Sequence, residues 1–479
     1  MLSFVMLVIG FVLLVWGADK FVEGASALAR KMGVSPLLVG LTIVAFGTSM
    51  PELAVSVTAA LRGANEIAVG NVVGSNVFNL LVVAGLSAVI CPLVMDKMLL
   101  RRDCGFSSAL DKAVRSMLEP LGCTPDSERK VRAEVVGYYR PVGECTDDEK
   151  RYIYKMVPLS ALADIIGEEN LYFFAYDIFG KADENARLLR EFISTVKEQR
   201  QCDKVDLIPV SMGATVAQMY FELYGGDRDV KRVIGVVPAY DGSDIAADLL
   251  AGDIRTDDCG ALLEMLLSRR EAEKISKLVS KMPKKVADRA VRTLVRAACE
   301  TVIVNSSTMW GIIPSERYTE LRDRYLADPD HDSLRAVADR HWRVRRNIKV
   351  LVRREQERSV EFYNICGCGK PLTPIAASDN LMSDTIVPTY SASMGAQCAA
   401  PGKTLSPGRD EPADFVSPHS DINAACAAVP DRTWFYYNME HEQAAENTAL
   451  LELVAAIASS DEPIDVFTLP DHPQFVDYC

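Results

Sequence analysis

The sequence predicts a two-part fold: an all-α membrane-spanning segment of three helices, joined to an α/β domain that carries a helical cap. Three observations predict it. The first 95 residues hold three apolar stretches, each able to supply the ~20 residues that cross a bilayer. From residue 170 onward, strand-length apolar runs alternate with amphipathic helical ones, the cadence of a parallel sheet. Residues 257–360 interrupt that cadence with a charged, helical pattern, as an inserted cap would. The expected domains are therefore 1–95, a charged helical linker at 96–169, and 170–479.

In the first part, Leu2–Trp16 is almost wholly aliphatic, and its helix can continue toward Ala29. Val34–Leu61 is apolar but broken by Gly40, Gly47 and Pro51, and Ile67–Val94 carries Gly70, Gly74 and Gly85. A cleaved signal peptide would explain the first stretch alone, but two further spans follow it. Lys20, Arg30 and Lys31 follow span one, and Lys97, Arg101 and Arg102 follow span three. By the positive-inside tendency these loops are cytoplasmic, as is everything after residue 97, in a multi-pass protein of the plasma membrane.

In the second part, Leu171–Tyr176 reads as a buried strand and Glu184–Arg200 as an amphipathic helix. Val205–Val210 is the next strand, then a helix over Ala214–Tyr224 and a third strand over Val230–Pro238. Strand patterns resume at Asp384–Tyr390, Thr433–Tyr437 and Ile464–Thr468.

Charge and cysteine content narrow the function classes. The chain carries −13 overall. Residues 1–97 balance five basic groups against five acidic ones, so the whole excess lies beyond residue 97. That balance, with no basic tract, points away from nucleic acid as a partner. The twelve cysteines are scattered, and only Cys366 and Cys368 stand close in sequence, without further ligands at zinc spacing. They read as structural thiols.

Polar groups inside a membrane span are costly, so those present demand a reason. Span two contains Gly47-Thr48-Ser49-Met50-Pro51-Glu52. A carboxylate flanked by hydroxyls, beside a proline that frees backbone carbonyls, supplies the hard oxygen ligands that Na+ and Ca2+ take. In span three Asn71, Ser75 and Asn79 recur every four residues and share one helical face. A polar seam for helix packing is the plainer alternative. These runs, GLTIVAFGTSMPELAVSVTAA and GNVVGSNVFNLL, resemble the first α-repeat of the sodium/calcium antiporters of the cation/calcium exchanger superfamily. The resemblance covers residues 1–95, half of an exchanger fold. It implies cation-binding roles for Thr48, Ser49, Glu52, Ser75 and Asn79, with Glu52 as the charged metal ligand. Ca2+ and Na+ would be the bound or transported ions and the lipid bilayer the surroundings. That family uses two inverted repeats and this chain shows one, so transport is expected to be incomplete unless a second copy closes the site.

Ser211 stands between a predicted strand and helix in Pro209-Val210-Ser211-Met212-Gly213. A sharp turn there would present its hydroxyl at the sheet edge, with the Met212 N–H as an oxyanion donor. An ordinary serine in a strand–helix loop is the alternative. Asp384 and then His441 follow in the order Ser, Asp, His, each beside a strand-like run. Among five histidines His441 is preferred as the base, with His419 second. His331 and His341 are expected to be solvated, and His472 lies beyond the last predicted strand. Asp421 and Asp431 stay open as alternatives for the acid. The segments FFAYD, VSMGA and SDTIVP resemble lipase-like α/β-hydrolases of the lecithin–cholesterol acyltransferase kind over about 170–475. That resemblance implies a membrane-tethered serine esterase or lipase acting on an ester or lipid substrate, with no cofactor. Residues 98–169 hold no strand leading to a glycine-rich oxyanion loop. A shortened exchanger meeting a shortened hydrolase near residues 95–104 is also the pattern of two joined reading frames, a chimera.

Overall fold

The computed structural model describes residues 104–479 apart from 132–134, 158–159, 256–283, 375, 407–412 and 478–479, together with Lys20, Gly24 and Ser56. The chain divides into two compact units, Met1–Asp103 and Cys104–Cys479. Apart from Ser56, the three predicted membrane spans lie outside the described residues. Among the described residues no helix is long and apolar enough to cross a membrane.

The second unit opens with helix α1 (Cys104–Leu118), α2 (Asp147–Met156) and α3 (Ser160–Ile166). α2 starts where Thr146 and Glu149 form a reciprocal capping box, each side chain accepting the other's backbone N–H. Then come α4 (Ala182–Arg200), β1 (Val205–Leu207), α5 (Gly213–Tyr224), β2 (Val230–Val236) and α6 (Asp244–Ala251). A helical run follows: α7 (Lys284–Val302), α8 (Ser315–Tyr325), α9 (Asp332–Arg346) and α10 (Ile348–Gln356). β3 (Glu361–Cys368), β4 (Thr433–Tyr437), α11 (Thr448–Ser459) and β5 (Phe475–Asp477) complete it.

The five strands lie side by side in chain order and every pair is parallel. Alternation of side chains along β2 and β3 sends them to opposite faces. Val233 and Phe362 meet α4, α5 and α10 through Leu189, Met219 and Val352. Ile234, Tyr363 and Ile365 meet α11 and α3 through Leu450, Val454 and Leu162. A parallel sheet covered on both faces favours apolar residues throughout, which is why β4 (TWFYY) and the second half of β2 (Val233–Val236) are continuous apolar runs rather than alternating ones. Arg232, in the first half of β2, is buried with Asp206 and Glu361 beside it.

Several expectations are corrected. Residues 104–156 are no linker: α1 packs on α7 with Arg115 paired to Glu300. Tyr138, Val142, Cys145 and Ile153 likewise form a cluster with Leu171 and Phe173. Leu171–Tyr176 has no regular secondary structure and pairs with no strand among the described residues. The central strand β3 was not anticipated, because its Asn364 and Gly367 break an apolar reading. Asp384–Tyr390 is instead a turn entering the short helix Thr389–Ala392. Ile464–Thr468 is a turn too, and the edge strand is β5. His472 therefore precedes the last strand. The end of the predicted cap belongs to the main core, since Val344, Leu351 and Val352 lie with α5 beneath the sheet.

Candidate catalytic site

Ser211 sits in the turn from β1 to α5, at the C-terminal edge of the sheet. The turn is tied to β2, because the Ser211 N–H donates to Val236 O at 3.0 Å and the Val236 N–H to Pro209 O at 3.0 Å. Ser211 itself has φ = 52°, in the left-handed region that a residue with a Cβ rarely occupies. Such strain, about 1–3 kcal/mol, persists only where the surroundings over-determine it. Here they do, since Ser211 O accepts from the Ala239 N–H at 3.0 Å as well. Proline at 209 is compatible with the turn: a Cβ on Gly213 would stand 3.7 Å from Pro209 Cβ, an ordinary contact.

Two loops from distant parts of the chain complete the arrangement. His441 begins the 3-10 turn His441–Ala445 after β4, and its N–H donates to Asp384 O at 2.8 Å. The imidazole bridges the other two residues, with Nε2 2.8 Å from Ser211 Oγ and Nδ1 2.7 Å from Asp384 Oδ2. An ionised carboxylate only accepts, so Nδ1 carries the proton and Nε2 accepts from the serine hydroxyl. Asp384 is fully buried. Its other oxygen, Oδ1, accepts the backbone N–H groups of Ile386 at 3.0 Å and Val387 at 2.7 Å. Burial pulls the His441 pKa down. The charge of Asp384, its hydrogen bond and the nearby Glu442 outweigh that, and the net shift is upward.

The acid approaches the sheet closely because of a glycine. A Cβ on Gly367 of β3 would lie 2.5 Å from Asp384 Cβ, closer than real atoms come. Gly367 O also accepts from Thr389 Oγ1 at 3.0 Å, fixing the loop that carries Asp384. Sequence reading saw only the flanking cysteines there. Both are buried free thiols, and burial holds their pKa values well above the ordinary range. No cluster of metal-ligating side chains occurs among the described residues.

The Met212 N–H heads α5 next to the serine, and among the described residues it donates to no acceptor. Ser211 and Met212 open onto a cleft of about 1180 Å3 lined by residues 170–178, α4 and β1.

The other candidates lie elsewhere. His419 is exposed, with Nε2 3.4 Å from Asp477 Oδ1 and its ring against Tyr437. Asp421 accepts from Ser417 Oγ at 2.7 Å and from the Tyr437 hydroxyl. Asp431 lies in the 3-10 turn before β4. His331 Nε2 meets Asn305 Oδ1 at 3.0 Å. His341, expected in solvent, is 1% exposed, and burial holds its pKa well below the ordinary value. Its Nε2 meets Gln218 of α5 at 3.3 Å, and Gln218 donates to Tyr240 O at 2.7 Å, so it braces the helix behind Ser211. Thr48, Ser49, Glu52, Ser75 and Asn79 lie outside the described residues.

Comparison with known proteins bears on the N-terminal part. Residues 2–110 match the family described as sodium/calcium exchanger protein. Sodium/calcium exchanger MaX1 of Methanosarcina acetivorans is 46% identical over 101 residues, 21% of this chain and 29% of that protein. Inner membrane protein YrbG of Escherichia coli is 41% identical over 103 residues, 22% of this chain and 32% of its own length. Human sodium/potassium/calcium exchanger 2 is 40% identical over 70 residues, 15% of this chain and 10% of that protein. The chain thus spans about a third or less of the length of these curated relatives. Residues 2–110 are an exchanger-type segment, similar to part of a cation antiporter.

Proposed function

We propose that residues 104–479 act as a serine hydrolase of the α/β-hydrolase type on an ester substrate, lipid esters included. The single observation that carries this reading is the chain of contacts from Ser211 Oγ to His441 Nε2 and from His441 Nδ1 to Asp384. His441 takes the proton as Ser211 Oγ attacks the ester carbonyl, and the Met212 N–H stabilises the oxyanion. Collapse of the tetrahedral species passes that proton to the leaving alcohol and leaves an acyl-serine. A water molecule, deprotonated by His441, then releases the acid and restores the serine. The strand–turn–helix setting of a strained serine, the parallel sheet and the order Ser, Asp, His support the assignment. A fluorophosphonate probe should label wild type at Ser211 and leave Ser211→Ala unlabelled. Well-folded protein that takes up no label would sink the hydrolase reading.

A second reading concerns the exchanger segment and rests on the family match over residues 2–110. There Thr48, Ser49, Glu52, Ser75 and Asn79 bind a cation of the Na+/Ca2+ kind within a bilayer, with the rest of the chain on the cytoplasmic side. Ca2+ takes 6–8 oxygen ligands, so further ligands come from a second copy or the site does not transport. Vesicles carrying the full chain should show Na+-driven Ca2+ uptake that Glu52→Gln abolishes; equal uptake by the two proteins rules the reading out.

A further inference from the structure

One long wall of the cleft beside Ser211 is a strand and the other is a segment without regular secondary structure. β1 is one wall, and among the described residues it has a sheet neighbour on one side only, β2. Leu171–Asp177 is the other wall, and among the described residues the backbone groups of Tyr172–Tyr176 have no hydrogen-bond partner. The remaining surfaces are mostly apolar, Leu189, Phe192 and Ile193 of α4 and Ile165 and Ile166 of α3, with Arg200 and Lys204 also on the lining. The rim is apolar as well, with Val136 55%, Met156 57% and Ile165 51% exposed. Large apolar side chains gathered in one exposed patch mark an interaction surface.

We infer that this cleft takes up one extended polypeptide strand from another chain, rich in apolar side chains, added to the sheet beside β1. The backbone decides the chemistry of the occupant. Half-buried N–H and C=O groups on two segments lining one cleft are satisfied by a peptide main chain, whereas a hydrocarbon would bury them without partners. An exposed strand edge is in any case a template for pairing. The volume agrees, since about 1180 Å3 exceeds the ~300–1,000 Å3 of small-molecule pockets. Helices wall the cleft above and below, so the incoming strand needs apolar residues on both faces, a run of Val and Ile rather than an alternating pattern. The inference does not depend on the chemistry of Ser211.

The probe is a Val/Ile-rich peptide flanked by lysines, set against the same peptide N-methylated at alternate residues, with the full-length chain in detergent. The unmodified peptide should bind saturably and slow hydrogen exchange at Tyr172–Tyr176 and β1. N-methylation removes donors from one edge and should weaken binding on the order of tenfold or more. Val136→Asp and Ile165→Asp, at exposed positions that leave the core intact, should weaken it too. Equal affinity for the two peptides overturns the inference, as does a well-folded chain that binds neither. Saturable palmitate binding that excludes the peptide without protecting those amides overturns it in favour of a lipid site.

Discussion

Asp384 holds its place through two backbone N–H donors as well as through His441, so its charge is localised where the imidazole needs it. Asp384→Asn removes that charge and presents an amide that reverses the required proton position on Nδ1. In the hydrolase reading the rate of fluorophosphonate labelling should fall roughly 10^3–10^4-fold. The pH dependence supplies a second readout. Only neutral His441 accepts a proton, so activity is lost as pH falls through its pKa. Asp384 raises that pKa against the opposing effect of burial. The acid limb of the residual rate should therefore move to lower pH in Asp384→Asn. A limb that stays in place would show that another group controls it. Ser211, Asp384 and His441 were legible because their order is written in the chain and strands stand before Ser211 and His441, although the strand expected at Asp384 is a turn. The N–H groups of Ile386 and Val387 were not, since a backbone donor has no side-chain signature.

At the scale of elements, β3 joins the core to the acid loop. Gly367 has no side chain, and that is what lets Asp384 pack against the strand. Gly367→Ala puts a carbon where none fits, and overpacking of this kind costs about 1–3 kcal/mol. The cheapest response is a shift of the Asp384 loop away from His441. Labelling of Ser211 should slow at least tenfold while circular dichroism keeps the strand and helix content. An unchanged labelling rate would mean the loop relaxes in another direction. β3 escaped sequence reading because Asn364 and Gly367 dilute its apolar run, while both are buried beside neighbouring strands. Leu171–Tyr176 misled in the opposite sense. Its composition suits a strand, but a strand exists only where a partner lies alongside.

At the scale of the molecule, the exchanger match and the compact units overlap. The match ends at residue 110, whereas the second unit begins at Cys104 with α1. Within that unit α1 lies on α7 through Arg115 and Glu300, with Asp111 3.5 Å from Arg296 and Val114 buried. A fragment starting at Cys104 should fold cooperatively. One starting at Glu119 should lose stability by about 1–3 kcal/mol from Val114 burial alone. Thermal melts of the two fragments check this, and identical midpoints would show that α1 adds nothing to the unit.

The sequence by itself marked residues 1–95 as resembling an exchanger repeat, because oxygen-bearing residues within apolar runs leave a local pattern that survives without tertiary context, and the family match covers residues 2–110. It also determined the apolar character of Val233–Val236 in β2 and of β4, since burial on both faces forces it. Only the tertiary structure decided that Ser211, His441 and Asp384 touch, for they lie 173 and 57 residues apart along the chain (384 − 211 and 441 − 384). Contacts across such separations depend on how the sheet orders its strands, and local pattern carries no record of that order.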